Sequence, residues 1–164
     1  MKLSKNLYLS EVTKSRTAKR LGISNEPTKE HLVNLQILAK KIFQPIRDYY
    51  GCPIYVSSGY RSEALNKAIG GSHKYIDGKY VATSQHCKGQ AIDIDRDAYN
   101  LPSNGEIFEY IKNNLEFDQL IWEFGSNTNP DWVHVSYNTN GSQRKQILVA
   151  YKDSNNRTKY KSYE

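Results

Sequence analysis

The sequence predicts an α+β fold: a single domain with a mainly antiparallel sheet and N-terminal helices packed on it. Three observations lead there. The 164 residues suit one domain, large enough to bury roughly 68–70% of the surface its unfolded chain exposes. Helical periodicity runs up to Tyr50, and runs alternating at every second residue cluster beyond it. No segment repeats, and strands gathered after mixed helices point to α+β.

Taken in order, Ser10 can cap a first helical turn, Glu11-Val-Thr-Lys14. Ser15 to Gly22 reads as a second short helical piece ended by its glycine. After the turn Asn25-Glu-Pro27 comes the longest predicted helix, about Thr28 to Tyr50. Leu32, Leu35, Leu38, Ala39, Ile42, Ile46 and Tyr49 recur there at three- and four-residue steps and form one apolar stripe. Pro45 removes a backbone donor and is expected to bend this helix. The helix is expected to prop the core, with His31 in solvent at its start. Pro53 to Ser57 is the first predicted strand and delivers Ser58-Gly59-Tyr60-Arg61-Ser62. Ser62 can cap a helix through Leu65 and Ala68 that stops at Gly70-Gly71.

Ser72 to Thr83 reads as a hairpin-like insertion turning at Asp77-Gly78, placed to line a cleft. Ser103-Asn-Gly-Glu106 is a capping box for a helix with Ile107, Phe108, Ile111 and Leu115 inward. Gln119 to Phe124, Trp132 to Tyr137 and Gln146 to Tyr151 read as strands. The domain is thus expected over 1–151 with the insertion at about 72–83, and 152–164 as a loosely ordered basic tail.

Chemistry concentrates in Ser84-Gln-His86-Cys-Lys-Gly89-Gln-Ala-Ile-Asp93-Ile-Asp95. Ile92 and Ile94 alternate with Ala91, Asp93 and Asp95, which predicts a half-buried strand whose carboxylates face a polar cleft. Gly89 can adopt the backbone angles that fold His86 back over Asp93. The strand from Trp132 to Ser136 puts His134 on the face opposite Val133 and Val135. Two imidazoles and a carboxylate suit a catalytic zinc, which takes three protein ligands and leaves one position to water; structural zinc favours four ligands and thiolates. Manganese or cobalt could fill the same donor set.

Other residues compete for roles. His73, at the base of the insertion, is the rival ligand. Cys87 follows His86 directly, and neighbours on an extended segment point apart, so it is left out of the coordination sphere. Arg61 stands at a strand-to-helix junction, where its planar, permanently charged fork can take a substrate carboxylate or a developing oxyanion. A surface salt bridge is its other reading. Asp93-x-Asp95-x-Asp97 resembles a calcium loop, but Ala98 and Asn104 stand where that motif needs glycine and glutamate.

The net charge of +6 attracts anionic partners such as cell-wall polymer, nucleic acid or an acidic membrane surface. The basic residues are scattered, which favours a solvated surface over a specific nucleic-acid groove. No apolar stretch approaches the ~18 residues of a membrane span. Met1 to Ser10 lacks a continuous apolar core and a small-residue cleavage site, so no signal peptide is expected. Cys52 and Cys87 are expected as reduced thiols.

Ser57-Ser-Gly59-Tyr-Arg61-Ser62, Gly70-Gly71, Ser84-Gln-His86 with Gly89 and Asp93, and Asp131-Trp-Val-His134 together closely resemble the zinc D-Ala-D-Ala carboxypeptidase family. That family shares its fold with vancomycin-resistance dipeptidases, phage endolysin L-alanyl-D-glutamate peptidases and the hedgehog signalling domain. The likeness runs roughly from Leu7 to Ala150; the opening helices look like those of small bacterial and phage members, and the 72–83 insertion departs from the pattern.

The resemblance implies that His86, Asp93 and His134 bind zinc, that Asp131 is general base and acid, that Arg61 polarises the scissile carbonyl or holds substrate, and that Ser84 touches substrate. In a regular strand Asp131 would face away from His134, so it must lie in an irregular segment after Asn129-Pro130; Glu123 is the alternative base. Asp95 is expected either to orient a ligand imidazole or to cap a neighbouring turn. The expected function is a zinc-dependent peptidase acting on a peptidoglycan stem peptide or cross-bridge, as a D,D-carboxypeptidase or endopeptidase. Such a chain would be made in the cytoplasm and reach the wall on release, as a phage lysis enzyme or virion-borne lysin, and act as a monomer. A non-catalytic zinc-containing module that binds cell wall or a partner is the alternative, and a basic nucleic-acid binder a further one.

Overall fold

The computed structural model describes residues 1–96 and 101–164. Strands β1 (Lys2–Ser4) and β2 (Leu7–Tyr8) pair antiparallel, because Leu3 and Leu7 are buried and pin the start of the chain to the core. They lead into α1 (Leu9–Thr13) and α2 (Arg16–Leu21). The cap of α1 falls on Tyr8 rather than Ser10, with Glu11 accepting from the Tyr8 backbone N–H at 2.8 Å.

The long helix is one run of three parts. α3 (Lys29–Leu38) passes into a π-helical turn over Ala39–Phe43 and then α4 (Gln44–Tyr50). Pro45 explains the middle part. It has no N–H to give the preceding turn, and the extra residue of a π-turn, seen where the Gln44 N–H donates to the Ala39 carbonyl, absorbs the defect. Leu35, Leu38, Ile42, Phe43 and Ile46 stay on one buried face across the join.

After β3 (Val56–Ser58) and α5 (Glu63–Ala68) comes the expected hairpin, β4 (His73–Ile76) with β5 (Lys79–Ala82), turning at Asp77-Gly78 with both φ values positive. A 3-10 turn over Gln85–Lys88 feeds β6 (Ala91–Ile94). Helix α6 (Asn104–Asn114) starts in the predicted capping box, and β7 (Gln119–Glu123), β8 (Trp132–Ser136) and β9 (Gln146–Lys152) follow. The tail differs from expectation. Thr158–Ser162 forms β10, antiparallel to β9, so residues beyond 151 close the sheet instead of trailing loosely.

The main sheet has six strands in the order β10-β9-β7-β8-β6-β3. Only the β7–β9 pair is parallel, because the chain leaves β8 and crosses to the far side of β7. The fold is therefore α+β with a mainly antiparallel sheet. Alternation gives this sheet two unlike faces. Ile92, Ile94, Leu120, Trp122, Val133 and Val135 pack with the apolar face of α3, α4 and α6 into one core. Asp93, Ile121, Glu123 and His134 have the opposite parity and face away from the helices. Among the described residues, no helix is long and apolar enough to cross a membrane.

Candidate metal centre and cleft

On that second face, β6 and β8 run side by side with Asp93 as the direct partner of His134. The 3-10 turn brings His86 to the same point. Gly89 ends the turn with φ +69, and a Cβ there would lie 2.5 Å from the His31 carbonyl oxygen, so only glycine allows the reversal. The side chain of Asn34 on α3 donates to the Lys88 carbonyl at 2.8 Å and ties the turn to the core.

His86 Nδ1 lies 2.7 Å from the Gly59 carbonyl oxygen. A carbonyl only accepts, so Nδ1 carries the proton and Nε2 turns a lone pair toward the sheet. That Nε2 stands 3.4 Å from Asp93 Oδ1 and 3.3 Å from His134 Nδ1, and His134 Nδ1 stands 2.9 Å from the same Oδ1. Ligand atoms bound at about 2.0–2.2 Å to one tetrahedral ion would lie about 3.3–3.6 Å apart. The three atoms thus already have nearly the spacing of a coordination sphere. His86 and His134 are buried and Asp93 nearly so. Burial alone would raise the Asp93 pKa, but His86 and His134 outweigh it and hold the carboxyl well below the usual carboxylate range. An ionised acid between two imidazoles fits a divalent cation.

The cluster opens into a cavity of about 910 Å³, ample for several residues of a peptide. Glu123 lines it, buried at the end of β7 with 8% exposure, and its pKa is pushed up to about 7 by burial, with Asp93 adding to the rise and His134 opposing it. Asp131 does not join this group. It is exposed and absent from the cavity wall; its N–H donates to the Glu123 carbonyl, and its own carbonyl accepts from buried Asn104 on α6. Both backbone bonds hold Asp131 in the bend that precedes β8.

Arg61 and Ser84 lie on the opposite wall. The guanidinium donates from Nη2 to Ser84 Oγ at 3.1 Å, and the Arg61 N–H donates to the His86 carbonyl. Arg61 Nε is buried with no hydrogen-bond partner among the described residues, which leaves a donor for a ligand.

Several expected participants lie elsewhere. His73 is exposed, bonded through Nδ1 to the Gly71 carbonyl and stacked on Tyr80. Asp95 follows the end of β6 and accepts from Asn104 Nδ2 at 3.1 Å, at the start of α6. Cys87 is buried and outside the cluster. His31 is not simply solvated, since its Nδ1 lies 3.1 Å from the Tyr60 hydroxyl. Asp97 and Ala98 of the calcium-like run lie outside the described residues.

The structure also adds residues. Trp132 and Phe124 meet edge to face on the cavity wall, and Asp118 holds both Gln85 and Arg144 at its rim. Trp132 was signalled by its parity with His134.

No curated protein matches the chain in sequence. A family model described as Peptidase M15 matches residues 5–136, a span that holds His86, Asp93 and His134 and both acids, Glu123 and Asp131, and the chain therefore belongs to this family of zinc-dependent peptidases.

Proposed function

We propose that the chain hydrolyses a peptide bond in bacterial peptidoglycan, in the stem peptide or its cross-bridge. The convergence of His86 Nε2, Asp93 Oδ1 and His134 Nδ1 on one point, with Glu123 in the same cavity, carries this reading. His86, Asp93 and His134 would hold the zinc. When bound, zinc supplies Lewis acidity that polarises a carbonyl and acidifies water, and its charge favours the ionised form of Glu123.

The remaining steps belong to the chain's own groups. Glu123 takes the proton of the attacking water and passes it to the departing amine nitrogen, a shuttle suited to a carboxyl whose burial moves its pKa toward neutrality. This gives Glu123 the part that the resemblance assigned to Asp131. Arg61, permanently charged and oriented by Ser84, binds a carbonyl or carboxylate oxygen of the substrate. Trp132 and Phe124 give the peptide an apolar wall.

The test is release of new amino groups from purified peptidoglycan, with and without a chelator. Cleavage that chelation abolishes and zinc restores is expected, and alanine at His86, Asp93 or His134 should remove bound zinc in elemental analysis. Chelator-resistant cleavage, or full zinc content in the alanine variants, refutes the reading. Mass spectrometry of the released muropeptides then identifies the bond and separates carboxypeptidase from endopeptidase action. A phage lysis or virion-borne role is a proposal on the same footing; lysis of cells exposed to the protein from outside, against lysis only after permeabilisation, bears on it.

A further inference from the structure

The matched family segment ends at residue 136, yet the cavity has a wall made from beyond it: Leu148 on β9 and Thr158 and Tyr160 on β10. Strand register explains how they come to be there. Ala150 is the direct partner of Glu123 across the parallel β7–β9 pair and of Tyr160 across the antiparallel β9–β10 pair. Side chains of paired residues point to the same face. Glu123, Ala150 and Tyr160 thus form one row, two residues along from the row holding Ile121 and His134. Neighbouring strands lie about 4.8 Å apart, so Tyr160 and Glu123 start about 10 Å apart with only the methyl group of Ala150 between them. A tyrosine side chain can lean across so small a residue.

Tyr160 lines the same cavity as Glu123, Asp93 and His134. Burial, then the charges of Glu123 and Asp93, raise its pKa, so the hydroxyl stays protonated and can donate. Among the described residues, that hydroxyl has no hydrogen-bond partner, and the side chain is 55% exposed. Thr158, Tyr160 and Ser162 alternate with Lys159 and Lys161, which sends the lysines to the other face.

We propose that the β9–β10 hairpin is part of the substrate-binding apparatus, and that the Tyr160 hydroxyl donates a hydrogen bond to a carbonyl or carboxylate oxygen of the bound peptide. The proposal rests on the peptidase reading and adds a contact from outside the matched family segment. With Arg61 on one wall and Tyr160 on the other, the peptide is held from both sides of the metal cluster.

The zinc-loaded chain tests this in an uncleaving background. E123Q should bind a soluble muropeptide carrying the whole stem pentapeptide, and calorimetry compares it with E123Q/Y160F. Loss of one hydrogen bond to the ligand is expected to weaken binding by about 5- to 30-fold. In the active background, Y160F should raise KM with kcat within about threefold, the signature of binding shared by ground and transition states. Zinc content and melting temperature should not change, because the ring is retained. Equal muropeptide affinity in E123Q and E123Q/Y160F overturns the inference while the peptidase reading stands. A fall in kcat with unchanged affinity overturns it too, since the hydroxyl would then act on Glu123 and not on substrate. If wild type cleaves no peptidoglycan and E123Q binds no muropeptide, both readings fall together.

Discussion

Glu123 is the direct strand partner of Trp132, and the N–H of Asp131, one residue before that tryptophan, donates to the Glu123 carbonyl, so the two acids are neighbours at one end of the β7–β8 pair. Their environments differ, one buried in the cavity with the imidazoles and the other exposed. Glu123→Gln is expected to lower kcat by about 10²–10⁴-fold, the usual worth of a general acid–base group, while Asp131→Asn stays near wild type. Peptidoglycan kinetics on the two variants decide; the opposite ranking would return the role to Asp131. Stability adds a second readout for the metal-free protein. An acid whose pKa rises on folding favours the folded state less as pH climbs from its unfolded pKa of about 4.3 to its folded value of about 7. Metal-free E123Q should therefore gain on wild type through that window, by on the order of 1–3 kcal/mol above it. Melting curves across pH in chelator check this, and a pH-independent gap would contradict it. The period of two was enough to read His134 and Asp93 from the sequence. Seeing that Glu123 lines the same cavity needed the register of β7 on β8, which the loop from Phe124 to Pro130 sets through the positive φ of Phe124 and Gly125 and contacts distant in sequence.

The element that places His86 is a single 3-10 turn, too short to hold itself, and it is fixed from outside. Ser84 caps it, Asn34 holds its last carbonyl, and Gln85 donates to Asp118 Oδ2 at 3.0 Å. Asp118, 2% exposed, is in turn gripped by Arg144, whose Nη2 lies 2.7 Å from Oδ2 and whose backbone N–H donates to Oδ1. Burial pushes the Asp118 pKa up, but the hydrogen bonds from Arg144 and Gln85 win and hold it below the ordinary value. A depressed acid stabilises the fold above its unfolded pKa, and that contribution disappears as pH falls through the folded pKa. Asp118→Asn is expected to cost about 1.5–3 kcal/mol at neutral pH, the worth of hydrogen bonds to a charged group. The gap to wild type should close only below pH ~4, as seen in denaturation midpoints against pH. Weaker zinc retention should accompany it, because the turn loses its outer anchor. A constant gap down to strong acid would mean that the carboxylate charge is not what Arg144 and Gln85 hold. The glycine that reverses this turn was visible in the sequence. The anchors were not, since Gln85, Asp118 and Arg144 are far apart along the chain and each reads alone as a surface polar residue.

At the scale of the molecule, the last strand decides whether the cleft has a second wall. Lys, Asn, Ser and Tyr dominate the residues after 152, a composition that reads as loose chain, yet alternation of Tyr160 with Lys159 and Lys161 is a strand signal within it. What fixes the strand is one residue further on. The Tyr163 ring packs 4.9 Å from Phe108 and 6.1 Å from Trp122, its hydroxyl lies 2.8 Å from Glu109 Oε1, and its N–H donates to the Ile147 carbonyl. Tyr163 thus wraps the sheet edge and joins the helix-side core, while the exposed Lys159 and Lys161 keep the outer edge charged and discourage pairing with another chain. If the tail folds with the domain, Tyr163→Ala should lower global stability by about 2–3 kcal/mol, the transfer of a large, partly buried side chain plus a lost hydrogen bond, and should do so in one cooperative transition. Limited proteolysis should then cut the variant after Lys159 or Lys161 at rates that leave wild type intact. Because Tyr160 depends on this anchoring, Y163A should also reproduce the raised KM expected of Y160F even though its own ring lies on the other face of the sheet. An unchanged denaturation midpoint with equal proteolysis of the two proteins would mean that the tail is independent of the domain, and that the second wall of the cleft does not persist in solution.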